Sequence, residues 1–416
     1  MRAWAAVLAV LACAATASAD SLPWIAPTDV PLPAGVRSAR ILYRDEPLYL
    51  DPVPGAPRRG AAALGASLPV YGARRGAGCA DRWLLVGASA WVCENRVELS
   101  RASPLPVAPE PKPTSDGLFY RYYFVGPEGS LGYAHLETAE EGAPDAELQP
   151  GFALAVRRTA NKSAGNPFAL TTHGLWVPLR DLGPARPETF QGVELDGSLA
   201  RVAWVFTQEA PIFAAPEGRK LKGEARAHLE TLTVLETRTS RKRRWFRIGD
   251  GQWVEDSHVR APTAAPPPTS LRPGERWLDV DIANQVLVAY EGTRPVFATL
   301  VSTGKGTGKS EQATPIGEHR LWVKLASADM DNLENDEASR YYAIEDVPWV
   351  MFFKKGYGLH GTFWHHSFGS RRSHGCVNLS PLDAQRIFYF TGPRLRAGWS
   401  AALPTPSDPG TLVRVR

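Results

Sequence analysis

Alternating hydrophobic and polar residues dominate the last third of the chain. Residues 277–290 read WLDVDIANQVLVAY: the alternation runs, breaks at residues 283–285 and resumes, which predicts two strands joined by a turn. A further strand is predicted over residues 296–301. The first helical pattern in this part of the chain comes only at residues 380–390. The pattern therefore predicts a mainly β domain that begins near residue 275.

A weak repeat precedes this domain. Each copy has an aromatic residue, seven variable residues and then Trp-Val. An aliphatic residue follows five positions after that valine. Each copy predicts two short strands joined by a glycine-containing turn. The aromatic residues either line a surface that binds a wall polymer or peptide, or lie in the cores of small β spacer units. The repeat is carried by Trp83 and Trp91, by Phe168 and Trp176, and by Trp245 and Trp253.

Two proline-rich segments predict linkers at residues 101–116 and 261–274, because such segments extend as semi-rigid spacers. The repeat resembles bacterial Src-homology-3-like modules, which implies small β-barrels before the last domain. The resemblance is weaker in the second unit than in the other two. The predicted units cover residues 37–100, 117–197, 198–260 and 275–416.

The first nineteen residues have the organisation of a secretory signal peptide. Arg2 is a minimal basic start, an apolar run follows, and residues 17–19 form an A-x-A cleavage signal. We expect export across the inner membrane to the periplasm or cell envelope. A lipid on Cys13 is the alternative. No later apolar run reaches the ~18 residues of a transmembrane helix.

Composition excludes two further classes. The 416 residues are 44% hydrophobic and 10% aromatic, so most of the chain can form packed cores and is not intrinsically disordered. The 47 Lys and Arg against 43 Asp and Glu leave a net charge of +4, which is too small to indicate a nucleic-acid partner. We expect a monomer.

The cysteines of the mature chain are of two kinds. Cys79 and Cys93 lie 14 positions apart on either side of a predicted strand pair, which favours a disulfide; two buried thiols are the alternative. Cys376 is then left alone. A single thiol in an exported protein is a liability unless it has a function.

The chemistry concentrates in residues 357–379, YGLHGTFWHHSFGSRRSHGCVNL. A thiol with a pKa near ~8.5 is a poor nucleophile at neutral pH until an imidazole activates it. His360 precedes Cys376 by 16 residues, enough for a strand, a turn and a return to the same cleft. His374 is two residues before Cys376 and would share its face on a strand.

These residues carry a specific resemblance. His360-Gly361-Thr362, followed by Ser373-His374-Gly375-Cys376-Val377-Asn378, resembles the signature of YkuD-like L,D-transpeptidase catalytic domains, and the match extends over about residues 275–400. The resemblance implies a β-sandwich-like domain without a cofactor or metal. It also implies cleavage of the stem tetrapeptide of peptidoglycan through a cysteine thioester, with release of D-Ala. The acceptor would be an amine of a second stem or of a wall-anchored protein.

The resemblance assigns roles residue by residue. Cys376 would be the nucleophile, His360 the general base and acid, and His374 an orienting or polarising group. Gly361, Ser373 and Gly375 would shape the loop and the oxyanion site, where backbone N–H groups around Gly375 and Cys376 bind the developing charge. The implied substrate contacts are Asn378, Trp364, His365, Met351 and Tyr357.

Three alternatives stay open from the sequence. A zinc site could use His360, His365, His366, His374 and Cys376, although their spacing is unlike that of structural zinc sites. A papain-like thiol hydrolase normally places its cysteine before its histidine, the reverse of the order here. A wall-binding scaffold without activity, or an L,D-carboxypeptidase that uses water as acceptor, would carry the same motifs.

Overall fold

The computed structural model describes residues 30–105, 113–163, 165–334 and 341–416. The predicted signal peptide, Cys13 and part of the first predicted linker lie outside the described residues. The described part of the chain is mainly β, with 46% of its residues in strands and 4% in helices. In the described ranges no helix is both long and apolar enough to cross a membrane.

The first unit forms two sheets. β4, β1 and β8 form a three-stranded antiparallel sheet, while β3, β2, β7, β6 and β5 lie in that order in a larger sheet. A disulfide joins Cys79 to Cys93, with the Cα atoms 5.5 Å apart. The strands are β1 (Ser38–Ile41), β2 (Glu46–Tyr49), β3 (Arg58–Ala62), β4 (Ser67–Pro69), β5 (Gly72–Arg74), β6 (Trp83–Gly87), β7 (Ala90–Cys93) and β8 (Val97–Ser100).

The second unit is built around the long strand β12, which pairs antiparallel with β9 and β13. β10 and β11 form a separate two-stranded sheet. The strands are β9 (Arg121–Val125), β10 (Ser130–Gly132), β11 (Ala146–Leu148), β12 (Ala153–Ser163), β13 (Asn166–Thr171), β14 (Trp176–Pro178), β15 (Leu182–Pro184) and β16 (Val193–Glu194).

The third unit has a three-stranded sheet, β20-β17-β24, and a five-stranded sheet, β19-β18-β23-β22-β21. The hydrophobic cluster of this unit includes Val205, Ile212 and Val254. The strands are β17 (Val202–Val205), β18 (Glu209–Phe213), β19 (Lys220–Ala227), β20 (Thr231–Thr233), β21 (Glu236–Ser240), β22 (Arg243–Gly249), β23 (Gln252–Glu255) and β24 (Val259–Arg260).

The repeated pattern marks a hairpin in each unit, as predicted: β6 with β7, β13 with β14, and β22 with β23. The aromatic side chains of the repeat are all at most 7% exposed. They therefore form cores, and the interpretation of this pattern as a polymer-binding surface loses its support. The resemblance to Src-homology-3-like modules stays a prediction.

The last domain packs a six-stranded sheet against a second layer. β16, β27, β26, β25, β34 and β28 form the sheet, and β29 to β32 with the helix α1 form the layer. The predicted strand pair 277–290 and the helix at 380–390 are both confirmed. The elements are β25 (Arg276–Asp281), β26 (Val286–Glu291), β27 (Arg294–Leu300), β28 (Gly317–Arg320), β29 (Val323–Asp331), β30 (Ala343–Lys354), β31 (Tyr357–Gly361), β32 (Val377–Leu379), α1 (Pro381–Phe390), β33 (Trp399–Ala402) and β34 (Leu412–Val415).

Strand alternation buries both faces of this sheet. Leu278 and Val280 pack toward α1, whereas Trp277, on the opposite face of the strand, packs toward Trp204 of the third unit. Asp279 shares the Trp277 face and is buried, and it is paired with Arg414 at 2.6 Å. The N-terminal units therefore cover a face of the domain that would otherwise expose apolar surface.

The helix α1 has both ends satisfied. Ser380 caps its N-terminus by accepting from the Asp383 N–H, and a proline opens its first turn. At the other end the Lys324 ammonium, 1% exposed, donates to the Phe388 and Thr391 carbonyls. Burial lowers the pKa of Lys324 to about 7. A cation at the C-terminal end suits the helix dipole.

The first and second units pair through their main chains with the sheet of the last domain that contains β29, β30 and β33. β3 pairs antiparallel with β33, and Gly60 lies opposite Ala402. A side chain at Gly60 would meet the Ala401 carbonyl oxygen at 2.3 Å, so only glycine fits there. On the other side β12 meets β30 at Ala153 and Ile344. One sheet thus runs from the first unit through the last domain to the second.

A carboxylate is buried at the second of these junctions. Glu345, 9% exposed, accepts the Ala155 N–H at 2.9 Å, and its Oε1 lies 3.9 Å from Nδ1 of His173. Burial raises the pKa of Glu345 to about 7. Its ionised form is therefore less stable in the fold than in the unfolded chain.

We expect Glu345→Gln to raise the thermal unfolding midpoint at about pH 8. The folded-state pKa lies above the unfolded value, so the wild-type carboxyl loses stability as the pH rises toward and through 7. The variant and the wild type should converge near pH 4.5, and Glu147→Gln on the exposed strand β11 is the control. A lower midpoint at pH 8 would mean that attraction to His173 outweighs burial.

Candidate active site

The site is built on two neighbouring parallel strands. β31 pairs with β32 in a register that sets Leu359 against Val377 and His360 against Asn378. Leu359 and Val377 belong to the core around α1. Because successive side chains alternate, His360 and Asn378 lie on the opposite face. Cys376 comes immediately before β32, two positions before Asn378. The register thus places the imidazole beside the strand that Cys376 precedes.

His360 is buried and neutral. Its side chain is 3% exposed, and burial lowers its pKa to about 4. Nδ1 lies 3.1 Å from the Gly361 carbonyl oxygen, which can only accept. Nδ1 therefore carries the proton, and Nε2 keeps its lone pair as a base requires. One face of the ring is stacked on Trp364, with centroids 5.6 Å apart.

Cys376 is a half-buried free thiol at the entry to β32. Burial raises its pKa, and a hydrogen bond from the Gly358 backbone partly opposes this rise. The Sγ atom lies 3.7 Å from the Gly356 carbonyl oxygen. At neutral pH both groups are consequently in their neutral forms, a thiol and an imidazole.

The loop before Cys376 is held by hydrogen bonds and by shape. The Ser373 hydroxyl donates to the Cys376 carbonyl and accepts the Gly375 N–H at 3.0 Å. The Thr314 hydroxyl donates to the Gly375 carbonyl at 2.8 Å and accepts the Gly304 N–H. The Gly375 N–H is thereby already used. Of the two donors named from the sequence, the Cys376 N–H is the one left for an oxyanion.

Asn378 and His365 form a buried pair beneath the site. They are 2% and 7% exposed, and the Asn378 amide lies 2.9 Å from His365 Nε2. The Ser367 N–H donates to Nδ1, so the neutral ring carries its proton on Nε2. The Asn378 Oδ1 has no other partner, and turning the amide to face Nε2–H satisfies both groups. Burial lowers the pKa of His365 to about 3.

The remaining residues named from the sequence occupy different places. His374 is exposed, lies outside β32 and is stacked on Tyr342, with centroids 5.7 Å apart. Met351 is fully buried in the core, as His365 is beside Asn378, so neither offers a substrate much surface. Trp364 and Tyr357 are half-buried and keep some surface on the cleft side.

Two residues near Cys376 and its loop were assigned no role from the sequence. Burial raises the pKa of Tyr342, and the charge of a Cys376 thiolate adds to this rise. Thr314 holds the loop through the Gly375 carbonyl. Within the described residues, no three His, Cys, Asp or Glu side chains converge as the ligands of a metal would.

A half-buried thiol just before β32 and a buried neutral imidazole on the neighbouring β31 are the residue types that a cysteine acyl-transfer site uses. The family model described as YkuD, the L,D-transpeptidase catalytic domain, matches residues 275–415. This match identifies that part of the chain, about a third of it, as an L,D-transpeptidase catalytic domain. A search of curated proteins finds no match.

Several solved structures similar to the chain are described as L,D-transpeptidases. The catalytic domain of the E. faecium enzyme is 24% identical, covering 34% of this chain and 98% of that one, with a TM-score of 0.27. The Stackebrandtia nassauensis protein is 26% identical over 34% of this chain and 55% of that one, with a TM-score of 0.23. The Mycobacterium smegmatis protein is 17% identical over 56% and 89%, with a TM-score of 0.26.

We expect Gly375→Ala to remove most activity. Gly375 has φ +124°, and an added Cβ would meet the Tyr357 ring at 2.4 Å, so the loop that carries Cys376 must move. Thiol alkylation and turnover should both change. Gly183→Ala is the control, because a Cβ there meets nothing within 4 Å. Wild-type turnover by Gly375→Ala would show that the loop geometry is not needed.

Proposed function

We propose that the protein is a peptidoglycan L,D-transpeptidase with Cys376 as nucleophile and His360 as general base and acid. The observation that supports the proposal is the β31–β32 register, which sets His360 against Asn378, two positions after Cys376, within a region that matches the catalytic-domain family model. Stem tetrapeptides are the proposed acyl donors. The protein is proposed to act in the cell envelope.

In the first half-reaction, Sγ attacks the carbonyl carbon of the third stem residue and its proton moves to Nε2 of His360. The oxyanion that forms accepts a hydrogen bond from the Cys376 N–H. The bond to the fourth residue breaks, and its amine leaves as D-Ala with the proton from Nε2. In the second half-reaction an acceptor amine attacks the thioester and gives its proton to His360, which returns it to the departing sulfur.

The neutral resting state has a consequence for pH. A base works in its deprotonated form, and burial places the His360 pKa at about 4. We expect the rate of thioester formation to stay near its neutral value down to about pH 5 and to fall as the pH drops through 4. Single-turnover mass spectrometry at a series of pH values measures this. An acid limb near 6.5 would show an imidazole in ordinary solvent contact.

Mass spectrometry of the intact protein with a muropeptide tetrapeptide tests the activity itself. We expect a mass gain on Cys376 equal to the tetrapeptide minus D-Ala. Cys376→Ala should show none, and His360→Gln should slow the adduct by roughly a hundredfold or more, as loss of a general base does. Adding an amine acceptor then separates cross-linking from hydrolysis by water. No wild-type adduct while Cys376 remains alkylatable would favour the inactive scaffold.

A further inference from the structure

Three aromatic rings connect the second N-terminal unit to His360. The Tyr122 ring of β9 is stacked on Phe363, with centroids 4.0 Å apart and an interplanar angle of 30°. Phe363 meets Trp364 edge to face at 5.0 Å and 89°. Trp364 in turn is stacked on the imidazole of His360 at 5.6 Å. The series begins at Tyr122 in the second unit and ends at His360 in the last domain.

The first member of the series is rigidly placed. Tyr122 is 3% exposed, and its hydroxyl donates to the Asp346 carbonyl of β30 at 2.6 Å. Phe363, 1% exposed, is clustered with residues of the second unit and has no freedom to move independently. The cluster contains Leu118, Tyr122, Ala153, Ala155 and Phe363, with Tyr120, Phe124, Ala185, Ile344 and Trp364 packed against it.

The imidazole needs such support, because its own hydrogen bonding is sparse. Nδ1 donates to the Gly361 carbonyl of the adjacent residue and lies 3.4 Å from the Thr362 hydroxyl. The direction of Nε2 therefore depends on what packs against the ring faces. A misplacement of about 1 Å can cost roughly a hundredfold in rate.

We propose that Tyr122 is a positioning residue for His360, acting through Phe363 and Trp364. The inference rests on the proposed function, since it requires His360 to be the base. It makes the second N-terminal unit a wall of the catalytic site instead of a spacer. The unit is then needed for the acylation step even when no wall polymer is present.

The test is the full mature chain carrying Tyr122→Leu. We expect the rate of thioester formation with tetrapeptide to fall roughly ten- to a hundredfold. The rate of Cys376 alkylation by iodoacetamide at neutral pH should fall as well, because the misdirected imidazole accepts the thiol proton poorly. Tyr122→Phe keeps the ring and loses only the hydroxyl, and it should restore both rates even if thermal stability drops.

Tyr123→Leu is the matched control, because the neighbouring residue on β9 faces the other side of the strand. A folded Tyr122→Leu with wild-type acylation and alkylation overturns the proposal. So does a Tyr122→Phe as slow as Tyr122→Leu, which would point to the hydroxyl. If Tyr122→Leu does not fold, Phe363→Leu replaces it, with the same two outcomes. If the wild type forms no thioester but Tyr122→Leu still slows the alkylation of Cys376, the proposed function is refuted. The proposal that Tyr122 positions His360 then still holds.

Discussion

The parallel pairing of β31 with β32 is the constraint on which the site depends. Its register places Leu359 and Val377 in the core and His360 and Asn378 on the other face, with Cys376 directly before β32. A register shift of one residue in either strand would turn that strand's polar side chains toward the core. Gly375 and the hydroxyls that hold its loop protect this register, because they fix where β32 begins.

Burial sets the electrical state of the pair. Two groups that could exchange a proton are both kept neutral, since the imidazole pKa is lowered and the thiol pKa is raised. The thiolate fraction between turnovers is therefore small, which slows oxidation and alkylation of the sulfur. Buried polar side chains also need hydrogen-bond partners, and Asn378 and His365 provide them for each other.

The N-terminal units are built into the catalytic domain. β3 and β12 extend the sheet that contains β29 and β30, and the third unit covers the face that carries Trp277. The second predicted linker is also bound to the last domain: the Thr263 hydroxyl donates to Asp281, and the Ser270 hydroxyl donates to Glu318. Residues that a spacer would expose are thus held against the last domain. A β-sheet edge that is paired in this way is also protected from association with other chains.

Local chemistry in the sequence was enough to determine the strand pair at residues 277–290, the helix after Ser380 and the three hairpins, and to propose roles for His360 and Cys376. Each depends on spacing or residue type within a short stretch. Tertiary structure alone decided that the repeat tryptophans are core, that His365 and Met351 are buried and that His374 lies beside Tyr342. It also decided that Tyr122 of the second unit packs on Phe363. These facts depend on contacts between residues far apart in the chain, and a periodic pattern states which side chains are buried together but not against which neighbours.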